Sequence, residues 1–514
     1  MDYKIIYALA LVAYTCAMLF IGYKAFKATN SLEDFYIGGR KIGVWVIAFA
    51  YVSTWNSAVT YVGFPGNAYK MGMPMIASGI LSALFAGFVG WLLMARRLRI
   101  QSTKLNSLTI PDYLEARYKS YGVRILSTLA ILIFSGIYLV AQYAAVAYIL
   151  QVYFGISYGV SVLIMAVTIG IYTSIGGYLA VVWTDLIQGI IMTIVAVCIP
   201  IFCLVALGGW NEINVTLAEN VGPAFNEIPG LMGPLMFSYM AFYTLGSIGS
   251  PQLTVKFFSI KDKKVWKYGL LLITLVLAVQ TPGMAFSGVA TRAAVEKGMI
   301  SGTLIAQNAD FTMPALMTTF APKILSILYL VGVFGASMST ADSLLLTSST
   351  ALVRDLMQKG LRMNLSDKKV QSLTSIATLA ITAITAVLSL MDLPMVVMIS
   401  VMQLTVVGAA FMPSLIFGIW WKKGTKTASL LSIASGIVVP ILLFTVLEPY
   451  NPFGHPFWPS VIISFAVYII CSLCSKPLPK EFVDDLFAYK EWEAEEADWS
   501  SGETAENKEN KIPE

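Results

Sequence analysis

Charge is scarce in this chain. Only 12% of its 514 residues are Asp, Glu, Lys or Arg, about half the share of an ordinary soluble domain. Histidine occurs once, at His455 in the segment NPFGHPFWP, and reads as a loop residue without a chemical role. The five cysteines are Cys16, Cys198, Cys203, Cys471 and Cys474. None falls in a segment expected outside the cell, so no disulfide framework is implied. Cys471 and Cys474 form a CxxC, but on an apolar helix where packing is the better account. Motifs with chemistry are missing too: no HxxxH or thiolate-cluster metal spacing and no GxxxxGK[ST] phosphate loop. Their absence argues against an enzyme and against an ATP-driven pump within this chain.

What the chain has in abundance is apolar length. It is 57% hydrophobic with a mean hydropathy of +0.74, which marks an all-α polytopic membrane protein whose surplus apolar surface faces the lipid bilayer. Runs of about 20 residues predict about thirteen transmembrane helices, near 5–23, 42–69, 72–95, 125–152, 157–176, 179–207, 234–255, 268–291, 324–353, 371–391, 394–420, 428–447 and 458–475. The first lacks the charged flank and small-residue site of a cleaved signal. With the N-terminus outside, 29 Lys and Arg fall in inside segments and five outside, namely Lys4, Lys70, Arg292, Lys297 and Lys323. That bias predicts an N-out, C-in protein of the plasma membrane. The net charge of +5 then reflects topology, and no nucleic-acid partner is read from it. No obligate protein partner is expected.

The stretch Val333–Asp355 organises the rest. It lies inside a membrane-length run, yet carries eight hydroxyls between Ser337 and Thr350 and one carboxylate, Asp342. At 100° per residue, Ala336, Ser339, Thr340, Ser343 and Thr347 share one narrow face with Asp342 at its edge. Exposed to lipid, that acid would cost several kcal/mol, so the face looks into protein or a wet cavity. Two readings fit: a seat for a hard monovalent cation, or a polar seam between helices. A second acid at membrane depth, Asp185, follows the glycine turn Gly176–Gly177. Both carboxylates fall in the inner half of the membrane, which is unfavourable unless a cation or proton lies between them.

Two spans are interrupted. Gly63, Pro65 and Gly66 break the second, and Gly246, Gly249 and Pro251 break the seventh. Broken helices in matching places of successive halves point to a 5+5 inverted-repeat core with two discontinuous helices, repeats near 42–207 and 234–420. The competing account is a pair of unrelated proline kinks. Residues 1–475 form the transmembrane domain, and 476–514 an acidic cytoplasmic tail, its last fifteen residues expected to be disordered. A short helix is expected around Pro111–Tyr118.

Several segments now carry a resemblance. GGRKIG (38–43), SAVTYVGFPGNAYKMG (57–72), LTIPDYLEARY (108–118), GGYLAVVWTDLIQG (176–189) and SMSTADSLLLTSSTALVRDL (337–356) are similar to those of the solute:sodium symporter family, over about residues 1–475. The resemblance implies the inverted-repeat fold and inward transport of a small-molecule solute driven by Na⁺. It places a first sodium on Ser53, Asn56, Ala336, Ser339 and Thr340. By likeness to sialic-acid symporters it places a second on Asp185, Ser339, Asp342 and Ser343, with Asp342 standing where those relatives have a serine. Tyr138 stands in place of their carboxylate-binding arginine, and Trp55 in place of the aspartate of proline symporters. The segments GFPGNAYKMG and VKFFSIKDKK look closer to pantothenate and monocarboxylate carriers. Trp55, Ser57, Thr60, Tyr138 and Gln142 are the candidate solute contacts, against ordinary helix packing. A carboxylate could be held by free N–H groups at a broken helix. A proton-coupled carrier of the same fold, a membrane nutrient sensor and a channel remain as other readings.

Overall fold

A computed structural model describes residues 3–233, 235–391, 396–447 and 454–489. The described chain is helical almost throughout, and its one β-bridge joins Ile42 to Ile260. Among the described residues, ten helices are long and apolar enough to cross a membrane. One of them, Tyr158–Ala206, runs for 49 residues and bends sharply at Gly177, where φ is +58° and ψ −164°. The two expected spans 157–176 and 179–207 meet at that residue. A Cβ there would sit 2.6 Å from the Phe35 ring, so glycine serves both the positive φ and the close approach. The two interrupted segments are too broken to count as single long helices.

The first interrupted segment holds a correction. The sequence places its break at Gly63, Pro65 and Gly66; the structure places it at Ser57, with φ +47° and ψ −179°. A π-helical turn follows over Val59–Gly63, and Phe64–Met71 resumes the helix with Pro65 in its first turn, where the missing N–H costs nothing. The glycines serve contact instead. A Cβ on Gly66 would lie 2.6 Å from the Ala309 carbonyl, and one on Gly63 3.0 Å from the Val397 nitrogen. The second segment breaks where the sequence puts it. Leu235–Ala241 passes through a π-helical turn, Phe242–Gly246, and Pro251 restarts the helix at Pro251–Thr254.

The helix Lys323–Thr350 is the axis of the molecule. It packs on Tyr158–Ala206, Tyr121–Phe154 and Val44–Ala58, and from Gly332 to Ser349 every residue is buried except Thr347. No lipid face exists along the hydroxyl-rich stretch, so its oxygens meet protein on all sides.

The short helix Ile110–Tyr118 starts on a Thr109 cap that accepts the Asp112 N–H at 3.0 Å. It lies at the basic end of the bundle, where Asp112 is gripped by Arg124 at 2.7 Å and Arg354 at 2.9 Å. Beyond Ser475, the helix Lys480–Leu486 packs back on that end. Asp485 pairs with Lys104 at 2.5 Å, Asp484 with Lys422 at 2.7 Å, and Tyr489 Oη donates to the Ile419 carbonyl at 2.8 Å. The expected disorder of the last fifteen residues lies outside the described residues.

Candidate functional site

Oxygen atoms converge where the Ser57 break faces the middle of Lys323–Thr350. Ser339 Oγ donates to the main-chain carbonyls of Ser53 and Ala336, both at 3.1 Å. Thr340 Oγ1 reaches the Thr54 carbonyl at 3.1 Å and the Ala336 carbonyl at 3.4 Å. Ser53, Ala336, Ser339 and Thr340, four of the five residues expected at the first seat, therefore share one cluster of carbonyl and hydroxyl oxygens. The fifth, Asn56, spends its main-chain oxygen on the Val59 N–H. Its side chain turns away, accepting from Thr60 at 3.2 Å and Thr281 at 3.0 Å and donating to Gln280. Carbonyls and hydroxyls without a sulfur or imidazole suit a hard monovalent cation. These residues fit the ion that the seat would take.

The second expected seat is arranged differently. Asp185 is fully buried, and its Oδ2 lies 2.8 Å from the ammonium of Lys256. Lys256 Nζ also reaches Ser343 Oγ at 3.4 Å, and Thr54 Oγ1 lies 3.4 Å from Asp185 Oδ2 and 3.3 Å from Ser343 Oγ. Asp342 does not join them by hydrogen bond; its Oδ2 accepts from Tyr172 Oη, which also meets Thr184 Oγ1 at 2.7 Å. Ser339, expected in both seats, gives its hydroxyl to the first and only its carbonyl to Thr54, at 3.2 Å.

Lys256 is the residue the sequence missed. It counts among the basic residues of VKFFSIKDKK that set the inside charge, but its exposure is 0%. The available signal was its position, one turn beyond the Pro251 break and separated from Lys261 by apolar FFSI.

A cavity adjoins the first seat. Its walls include Trp55, Ser57, Thr60 and Tyr138, four of the five expected solute contacts, with Phe64, Tyr243, Ser247 and Gln252 opposite. Ser57 Oγ and Tyr138 Oη are 3.0 Å apart. Gln142 is not in this wall. Its Oε1 accepts the Ala58 N–H at 3.3 Å, so its amide serves the backbone freed by the break. Ser57 Oγ takes the Val59 N–H at 3.1 Å. Those two N–H groups are thus already bonded, which corrects the expectation that the break offers them to a carboxylate. Gln252 Oε1 is buried without a hydrogen-bond partner. All the side chains of this cavity are uncharged. A second cavity is lined by Val255, Ser343, Thr347, Thr350, Tyr178 and Asp355 among others.

Comparison with known proteins agrees with this architecture. The chain is 32% identical over 448 residues to a sodium/pantothenate symporter of Haemophilus influenzae, covering 85% of this chain and 90% of that one. It is 28% identical over 478 residues to a sodium/proline symporter of Escherichia coli, covering 90% and 92%. A solved structure of a Na⁺-coupled sialic acid symporter, substrate-bound and outward-open, superposes with a TM-score of 0.77 at 21% identity, over 93% of this chain and all of that one. The Sodium:solute symporter family profile matches residues 35–436. The chain belongs to the sodium:solute symporter family.

Proposed function

We propose that this protein imports a small organic solute into the cell by sodium-coupled alternating access. The observation that carries the reading is the oxygen cluster of Ser53, Ala336, Ser339 and Thr340. It joins the broken helix, one turn before Ser57, to the buried axis helix, and it shares Thr54 with the neighbouring cavity. A sodium at this seat, also drawing on the Asn56 carbonyl, braces the broken helix against Lys323–Thr350 and so shapes the wall that contacts solute. Thirteen crossings with the N-terminus outside set the seat to load from the exterior, and repeats near 42–207 and 234–420 supply the two rocking halves.

The solute is a small carboxylate such as pantothenate or another monocarboxylate, or an amino acid such as proline. An uncharged cavity with Thr60, Tyr138, Ser247 and Gln252 would hold a carboxylate by hydroxyl and amide donors. Trp55 and Tyr243, whose rings lie 6.3 Å apart, would cover its apolar part. One sodium crossing −100 mV down a tenfold gradient releases about 3.7 kcal/mol, enough to concentrate a solute of no net charge such as proline roughly 500-fold; a monoanionic carboxylate makes the step electroneutral and leaves about 1.4 kcal/mol, roughly tenfold.

The test is uptake of labelled pantothenate, proline, acetate and pyruvate into proteoliposomes, with an imposed sodium gradient, a proton gradient, or neither. Uptake of one solute under the sodium gradient alone is expected. Uptake driven by the proton gradient in sodium-free medium would replace this reading with a proton-coupled carrier.

A further inference from the structure

We propose that the ammonium of Lys256 is the resident cation of the Asp185 seat, so that the protein binds one sodium, at the Thr340 seat, and none at Asp185. The proposal rests on the sodium-coupled reading above and departs from the two-ion arrangement that the resemblance implied.

Three observations carry it. Lys256 Nζ already lies on Asp185 Oδ2 and Ser343 Oγ, at 2.8 and 3.4 Å, two of the groups that a second sodium was expected to use. A further unit charge on those same oxygens would sit within about 4 Å of the ammonium in a low-dielectric interior, where like charges repel strongly. Second, the lysine is built in. Its short helix Val255–Ser259 is pinned by Ser259 Oγ, which donates to the Lys256 carbonyl at 2.7 Å and meets Tyr178 Oη at 2.9 Å. Third, the pair is enclosed. Both side chains are fully buried, and a buried carboxylate with no cation beside it is costly, so the ammonium answers a requirement that would otherwise fall to a mobile ion.

The chain around Lys256 borders both cavities. Gln252 and Leu253, just before it, line the solute cavity, and the adjacent Val255 lines the other. A tethered cation there keeps the Asp185 seat neutralised throughout the cycle and is never released. Two oxygens remain outside the arrangement: Asp185 Oδ1 and Asp342 Oδ1 are buried without hydrogen-bond partners. A sodium on that pair is the competing occupancy.

Equilibrium binding of ²²Na⁺ to the purified full-length protein in lipid nanodiscs decides between them and needs no solute. Wild type is expected to saturate at one sodium per chain, and Thr340→Ala to weaken that binding about tenfold or more. Lys256→Met, which vacates the seat but keeps Asp185, is expected to saturate at two. Lys256→Met combined with Asp185→Asn, which removes the unpaired carboxylate and guards against misfolding of the single variant, is expected to return to one. Two sodium ions on wild type, or one on a Lys256→Met protein that elutes and melts like wild type, would overturn the proposal. Wild type that binds no sodium would instead overturn the sodium-coupled reading beneath it.

Discussion

Thr340 donates its hydroxyl proton to the main-chain carbonyl of Thr54 across 3.1 Å, and the hydroxyl of the same Thr54 lies 3.4 Å from Asp185 Oδ2. One residue of the broken helix thus touches both the oxygen cluster around Thr340 and the buried carboxylate of Asp185. Removing the Thr340 hydroxyl takes one ligand from the sodium seat and one hydrogen bond from the brace, together worth about 1–3 kcal/mol. Thr340→Ala is expected to raise the sodium concentration for half-maximal uptake by about tenfold or more. An unchanged sodium curve would show the seat to be misplaced.

Close approach is the second test. A Cβ on Gly288 would fall 2.2 Å from the Pro65 carbonyl, whereas one on Gly43 meets nothing within 4 Å. Gly288→Ala must push the helix Lys263–Glu296 off the resumed half of the broken helix, an overpacking cost of about 1–3 kcal/mol or more. Its melting temperature in detergent should fall by several degrees, with Gly43→Ala unchanged as the control.

At the basic end, Arg124 faces three carboxylates: Asp112 at 2.7 Å, Asp355 at 3.0 Å and Glu115. Arg124→Met leaves buried charge without its partner, which costs about 3–5 kcal/mol, and thermal melting should register the loss. Burial raises the Asp112 carboxyl, but the guanidiniums of Arg354 and Arg124 outweigh it and hold that carboxyl below the usual carboxylate range. A depressed acid stabilises above its unfolded value, near 4, and the gain disappears as pH falls through the folded value. The contribution of Asp112 should therefore be full above about pH 5 and decline only in stronger acid.

His455 titrates in a different window. Burial alone lowers its value from 6.5 to about 4, while its ring stacks on Phe242 at 5.2 Å and its Nδ1 accepts the Phe457 N–H at 3.1 Å. The neutral form is the folded form, so stability is full above pH 6.5 and is lost as pH falls towards 4. His455→Phe keeps the stack and should flatten the fall of melting temperature between pH 6.5 and 4.5. An equally steep fall in the variant would assign that slope elsewhere.

The sequence made the axis helix legible because hydroxyls in a membrane-length run have no other home than the protein interior. The Gly246–Pro251 break was legible because two glycines and a proline fall within six residues, and the helix restarts with Pro251 in its first turn. The Ser57 break was not, because a non-glycine residue at φ +47° is held by distant partners, Tyr138 Oη above all. Gln142 was misjudged likewise: its polarity answers a main-chain N–H 84 residues away. Lys256 was hidden by counting, since a topology rule sums basic residues without asking which of them are buried. Spacing placed Ala336, Ser339 and Thr340 on one face, while Ser53 and Asn56 entered only through the family resemblance; Ser53 joins that face by hydrogen bond and the Asn56 side chain turns away.

The packed segment after Ser475 has a mechanical consequence. It holds Lys104, from the first expected repeat, and also Lys422 and Ile419, at the end of the second. Any rocking that parts those halves at the basic end must first let this clip slip. Its ion pairs are half-exposed and therefore weak and salt-sensitive, so in the proposed alternating-access cycle it would act as a light brake. Ionic strength on that side of the membrane then becomes a control on turnover that leaves solute affinity untouched.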